Sequence, residues 1–179
     1  MTKINKLDRL LKTGQKLYHT QDLALLWQIA NRNTLYTAIK RLVKKQILVS
    51  VRKGLYSVLP LDQLDPYRLG AALIHHYSYV SGETVLAQAG IISQKVYPIT
   101  FVSSVPAKIK INDQVFLFRK LKEKYLINPT GISLVKGVLT AGPERAVADT
   151  LYFNPRYYFD NPALIDQRKV KQIQRQIGY

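Results

Sequence analysis

The sequence predicts an α+β fold in two parts: a helical segment closed by a basic hairpin, then a longer mix of helices and strands. Three observations predict it. Between Thr20 and Pro60 two stretches with helical periodicity flank a polar break, and two short alternating runs come after them around a glycine turn. From residue 61 onward, helix starts alternate with strand-like apolar runs. Charge is uneven: residues 1–60 carry 12 Lys and Arg against 2 Asp and Glu, whereas residues 61–179 carry 15 against 9.

The first helix is expected over residues 3–13, with Leu7, Leu10 and Leu11 on one face and Gly14 ending it. Tyr18 is expected to pack in the core. Thr20 is expected to cap the second helix through its hydroxyl, with Asp22 at the positive end of the helix dipole. Leu23, Leu26, Trp27 and Ile29 form that helix's apolar stripe, so it should stop near Ile29.

Asn31-Arg32-Asn33 is a polar break, and Asn31 or Asn33 can cap the third helix. From Thr34 to Lys45, Leu35, Ile39, Leu42 and Val43 recur at helical spacing, leaving Tyr36, Thr37, Lys40, Arg41, Lys44 and Lys45 mostly on the other face. Ile47 to Val51 alternate as a strand, Arg52-Lys53-Gly54 turns, and Leu55 to Leu59 return to Pro60. Helix, break, helix and basic hairpin in this order read as a winged helix-turn-helix over residues 1–60, which places one helix in the major groove of DNA and a ribbon on the backbone.

In the remainder, Pro66 suits the first turn of a helix expected over Tyr67–His76. Another helix opens at Ser81, Glu83 and Thr84 and ends at Gly90. Residues 99–104 and 114–119 read as strands, with more short strands within 125–139 broken at residues 128–131 and Gly137. Gly142-Pro143-Glu144-Arg145 starts a helix with Ala146, Val147, Thr150 and Leu151 inward. An aromatic, proline-rich loop leads to a basic closing helix over 163–177, with Val170, Ile173 and Ile177 spaced for packing. The whole is a mixed α/β C-terminal domain over residues 61–179.

Composition narrows the function. The net charge of +16 favours a polyanionic partner, because each phosphate contacted releases counterions; charge alone also admits RNA or an anionic membrane. With no cysteine, disulfides and thiolate metal sites are excluded. The polar, charged N-terminus shows no cleavable signal, and no long apolar run spans a membrane, so a cytoplasmic protein is expected.

The candidate DNA-contacting residues are Arg32, Asn33, Thr34, Tyr36, Thr37, Lys40, Arg41 and Lys44 on the third helix and Arg52 and Lys53 on the turn. The first residues of a recognition helix reach base edges, and the cations beyond them hold phosphates. The competing reading is a solvated basic face.

His75 and His76 lack further ligands at suitable spacing, His19 being the third histidine, and no metal or cofactor is expected. Glu144 and Asp149, with Asp113, Lys120 and Lys122, could suggest a nuclease. They are scattered, however, and an Arg145–Asp149 ion pair near i,i+4 is the simpler expectation. No catalytic residue is assigned.

Three strings carry a family resemblance: RKGLYSV (residues 52–58), DPYRLGAALIHHYSYVSGETVLAQAGII (65–92) and TAGPERAVADTLY (140–152). In this order and at these separations they resemble the AbiEi antitoxins of bacterial abortive-infection toxin–antitoxin systems, and with the helices before them they cover most of residues 20–152. The chain departs from the family pattern at Gly82, Glu83 and Thr84. The resemblance implies an N-terminal domain that represses its own operon through inverted repeats, with two copies expected on such a site. It also implies a C-terminal domain that counteracts a nucleotidyltransferase-like toxin. A toxin-binding protein without specific DNA recognition, and a small metal-dependent DNA-processing enzyme, are the alternatives.

Overall fold

The computed structural model describes residues 5–179 and is α+β. It divides into two compact units, residues 1–65 and 66–179.

In the first unit α1 spans Lys6–Thr13, α2 Thr20–Trp27 and α3 Arg32–Lys44. The expected first helix begins earlier, at residues that lie outside those described. The Asn5 side chain caps α1, and Gly14 ends it at φ +66°. Of the expected apolar face only Leu10 is buried; Leu7 and Leu11 are exposed, because one contact row suffices to seat this short helix.

Thr20 is not the cap of α2. The helix starts one residue earlier, with His19 as cap residue, whose backbone N–H donates to the Asp22 carboxylate at 2.7 Å. Thr20 instead donates its backbone N–H and its hydroxyl to the carbonyl of Gly54, at 2.9 and 3.3 Å.

A three-residue strand with no periodic signal in the sequence, β1 (Leu17–His19), precedes α2. It pairs antiparallel with β3 (Leu55–Ser57), which pairs antiparallel with β2 (Val49–Arg52), giving the order β1-β3-β2. The simple alternation expected over residues 47–51 fails for two reasons. Gln46, at φ +57°, closes α3, and the N–H groups of Ile47 and Leu48 both return to the Leu42 carbonyl, so these residues belong to the helix end. Between Ser50 and Arg52 the register slips, a bulge at Val51. The turn is therefore Lys53-Gly54, with Arg52 ending β2 and Gly54 at φ +84°. The return strand stops at Ser57, short of Leu59. Leu10, Tyr18, Leu23, Trp27, Leu35, Ile39 and Leu48 form the core. Its polar edges are satisfied: the Tyr18 hydroxyl donates to the Leu10 carbonyl and meets the Thr13 hydroxyl, and the Trp27 indole donates to the Lys6 carbonyl.

The second unit is built on a six-stranded mixed sheet in the order β6-β7-β5-β4-β9-β8. These strands are β4 (Ser78–Val80), β5 (Ile99–Ser103), β6 (Ala107–Ile111), β7 (Gln114–Lys120), β8 (Ile132–Val135) and β9 (Val138–Ala141). The β5–β7 and β4–β9 pairs are parallel; the other neighbours are antiparallel. β4 and β6 are additions to the expected elements. The expected helix to His76 ends at Ala72 (α4, Pro66–Ala72), because the chain must extend into β4 by Ser78.

The remaining helices are α5 (Glu83–Gln88), α6 (Glu123–Leu126), α7 (Pro143–Phe153) and α8 (Gln167–Ile177). All five residues of β5 are buried, as expected for a strand covered on both faces. α4 approaches one face so closely that a Cβ on Gly70 would lie 2.5 Å from the Phe101 ring. Neighbouring residues of a strand point to opposite faces, so Tyr79 looks the other way, toward Asp149 on α7, and Thr100 toward Gly82, the cap residue of α5. Among the described residues no helix is long and apolar enough to cross a membrane.

Candidate nucleic-acid interface

α3 owes its position to two sequence features. The Asn31 side chain accepts from the Thr34 N–H at 3.0 Å, fixing the helix start, and Leu35 and Ile39 bury one face beside Trp27 and Tyr18. Everything opposite that face is then presented to solvent. On a helix of 3.6 residues per turn, Asn33, Tyr36, Thr37, Lys40 and Lys44 share one stripe, and each is exposed. This stripe combines an amide, a hydroxyl, a phenol and two ammonium groups, able to donate and accept at base edges and to meet phosphate oxygens.

The other sequence candidates on α3 lie off the stripe. Arg32, on one flank, places its guanidinium 5.7 Å from the centre of the Tyr36 ring, a cation–π pair. Thr34, on the other flank, has its hydroxyl 3.2 Å from the Asn31 side chain and so serves the cap. Arg41, on the same flank, lines an open cleft with Lys6, Lys44 and Lys45 over a floor of Ala38 and Leu42, about 540 Å³ in volume. Lys6 and Lys45 are cations absent from the sequence candidates. Lys45 directly succeeds the helix, but Lys6 is brought in only by packing of α1, which no local pattern signals.

At the hairpin, Arg52 and Lys53 are exposed and Gly54 is half-buried. The two hydrogen bonds from Thr20 to the Gly54 carbonyl tie this turn to the first residue of α2. The turn is therefore anchored rather than a free tip. Within the sheet, burial raises the Tyr56 hydroxyl above its ordinary value, opposed by Thr20 and reinforced by Tyr36.

The second unit holds a buried polar cluster. Arg145 and Asp149, both 0 % exposed, pair at 2.9 Å one turn apart on α7. The guanidinium uses all five donors: Nε to Asp149, Nη1 to the carbonyls of Asn128 and Thr130, Nη2 to the Tyr79 hydroxyl and the Tyr125 carbonyl. Asp149 also accepts from the hydroxyls of Tyr79, Ser81 and Tyr179. Burial alone would lower the Arg145 guanidinium, but Asp149, then Tyr79 and Tyr179, outweigh it and hold it above its ordinary value.

The ion pair matches the sequence expectation; its complete burial had no sequence signal. Glu144, by contrast, is partly exposed, 3.7 Å from Lys169 on α8. His76 Nδ1 lies 3.2 Å from the Ser104 hydroxyl. Among the described residues no group of three or more His, Asp or Glu could hold a metal ion.

No family model matches this chain, and no curated protein matches it.

Proposed function

We propose that the chain is a DNA-binding transcriptional repressor and antitoxin of an AbiE-like operon, acting in the cytoplasm. In this reading the first unit is a winged helix-turn-helix that binds operator inverted repeats through two copies. The single observation that carries the DNA reading is the exposed stripe of α3. Asn33, Tyr36, Thr37, Lys40 and Lys44 stand opposite the face that buries Leu35 and Ile39, with a basic hairpin turn in the same unit. α3 enters the major groove; Asn33, Tyr36 and Thr37 read base edges, while Lys40, Arg41 and Lys44 hold phosphates. Arg52 and Lys53 lie on the flanking backbone. Repression is steric: an occupied operator excludes polymerase.

Within this proposal the second unit is the antitoxin domain, counteracting a nucleotidyltransferase-like toxin, and the chain needs no metal or cofactor of its own. The Asp149 carboxylate supports a structural rather than catalytic role, since four donors already converge on it.

The test is a titration of the full chain against DNA from upstream of its own gene, with a scrambled control, at two salt concentrations. Tight binding that exceeds the control and weakens in Lys40→Ala/Arg41→Ala is the expected result. Equal, steeply salt-dependent binding to both DNAs would overturn specific recognition and leave only a charge footprint.

A further inference from the structure

The two edges of the six-stranded sheet are built differently. The β6 edge reads Ala107-Lys108-Ile109-Lys110-Ile111, with both lysines exposed, a common means of keeping other strands from pairing. The β8 edge reads Ile132-Ser133-Leu134-Val135 and carries no charge. Its last two apolar side chains are uncovered: Leu134 is 69 % exposed and Val135 48 %, whereas Ile132 is half-buried.

The hairpin fixes which backbone groups face outward. Val135 pairs with Val138 across the two-residue turn Lys136-Gly137, whose φ values of +49° and +83° suit a tight hairpin turn. Residues flanking such a turn form a hydrogen-bonded pair, and antiparallel pairs alternate in kind. Val135 and Ser133 therefore bond to β9, while the N–H and C=O of Leu134 point away from it at the open edge. An unpaired donor and acceptor beside exposed Leu134 and Val135 suit an extended backbone and little else.

Charge selects the occupant. Lys136 is exposed at the hairpin tip, and Arg68 donates to its carbonyl at 3.0 Å. The unit carries 15 Lys and Arg against 7 Asp and Glu over residues 66–179. A second copy would bring the same excess of positive charge; an acidic strand is attracted.

We propose that the β8 edge is a docking site for an extended, acidic segment of a partner protein, which adds to the sheet as a seventh strand by hydrogen bonding to Leu134. This holds whether or not the first unit binds DNA and whether or not the partner is a toxin.

The experiment measures amide exchange in the full ¹⁵N-labelled chain with a capped peptide alternating valine and glutamate. A peptide with lysine in place of glutamate is the control. The Leu134 amide is expected to exchange quickly alone and to slow by about tenfold or more with the glutamate peptide, but not with the lysine peptide. Leu134→Pro removes the outward N–H without touching the β9 ladder, and Leu134→Lys keeps the N–H but adds a cation and removes the apolar side chain. Loss of the peptide-induced shifts of the Ser133 and Val135 amide signals in the proline variant, with the rest of the amide spectrum unchanged, supports backbone docking; retained shifts overturn it. Retained, salt-sensitive binding in the lysine variant supports the same conclusion, independently of how the proline variant folds. Equal protection by both peptides, or none by either, overturns the proposal. Protection of Leu134 that rises with protein concentration alone would assign the edge to a second copy and overturn the acidic partner.

Discussion

The Arg145 guanidinium and the Asp149 carboxylate, 2.9 Å apart and both buried, fasten α7 to three other parts of the second unit. Arg145 reaches the carbonyls of residues 125, 128 and 130, and Asp149 reaches β4 through Tyr79 and the segment after α8 through Tyr179. Removing one partner leaves the other charge buried and unpaired. Arg145→Ala and Asp149→Ala are each expected to destabilise the second unit by about 3–5 kcal/mol. A double exchange to apolar residues of similar size should cost less than either. Urea unfolding monitored by the tyrosine signal would read this; a single variant with wild-type stability would refute the role of the pair.

The same cluster sets a direction for alkaline unfolding. Burial first, and Asp149 second, raise the Tyr79 and Tyr179 hydroxyls well above the ordinary tyrosine value of 10.0. As pH climbs past that value the unfolded chain releases these protons while the folded chain keeps them. The stabilisation is thus complete below the ordinary value and is lost as pH rises toward the folded values. Each tyrosine should contribute a fall of about 1.4 kcal/mol per pH unit in that window. Urea midpoints between about pH 8 and pH 11 should fall less steeply in Tyr79→Phe and in Tyr179→Phe. An unchanged slope in both would show that neither proton is held by the fold.

How much of this is legible in the sequence depends on whether a signal is local. α3 is legible because its period, its polar break and the Asn31 cap lie within a short stretch. β1 is not: three residues hold no period, and Leu17–His19 are a strand only because Ser57, Tyr56 and Leu55 arrive beside them. β6 does carry a visible alternation, Ala-Lys-Ile-Lys-Ile, although no strand was expected there. The Arg145–Asp149 spacing is visible, but the carbonyls that let Arg145 go underground come from elsewhere in the chain. Among the α3 candidates, single-residue roles are least legible: Thr34 turns toward the cap and Arg41 toward a cleft completed by Lys6.

Gly70 gives a packing prediction. A Cβ there would stand 2.5 Å from Phe101 and 2.8 Å from Phe116, both rings buried. Since Phe101 also stacks on Phe118, the rings have little room to withdraw. Gly70→Ala should therefore destabilise by about 1–3 kcal/mol, although alanine is otherwise the better helix former. A thermal melt showing stabilisation would mean that α4 sits further from the sheet.

The cap of α3 separates stability from recognition. Asn31→Ala removes the acceptor for the Thr34 N–H and should cost about 1 kcal/mol. Asn31→Asp keeps an acceptor at the positive end of the helix and should be near neutral in stability. Chemical denaturation monitored by Trp27 emission reports this unit directly, because Trp27 lies in its core. Equal stability of the alanine variant would show that α3 starts without the side-chain cap.

The proposed DNA contacts differ in the salt dependence that their loss produces. Lys40 and Lys44 lie on the exposed stripe, and Lys53 at the hairpin turn. If each holds one phosphate, replacing it by alanine should weaken binding to every sequence alike and reduce the log–log salt slope by about 0.9. Asn33→Ala and Thr37→Ala remove groups assigned to base edges. They should leave the slope unchanged and reduce preference for operator over scrambled DNA by about 1–3 kcal/mol for a bidentate contact, less for a single bond. Anisotropy titrations at several salt concentrations separate the two kinds of loss. If Asn33→Ala and Thr37→Ala bind both DNAs as the wild type does, base readout does not run through the start of α3. If the lysine variants keep the full slope, the phosphates are held elsewhere, and the cleft cations Lys6, Arg41 and Lys45 become the next residues to replace.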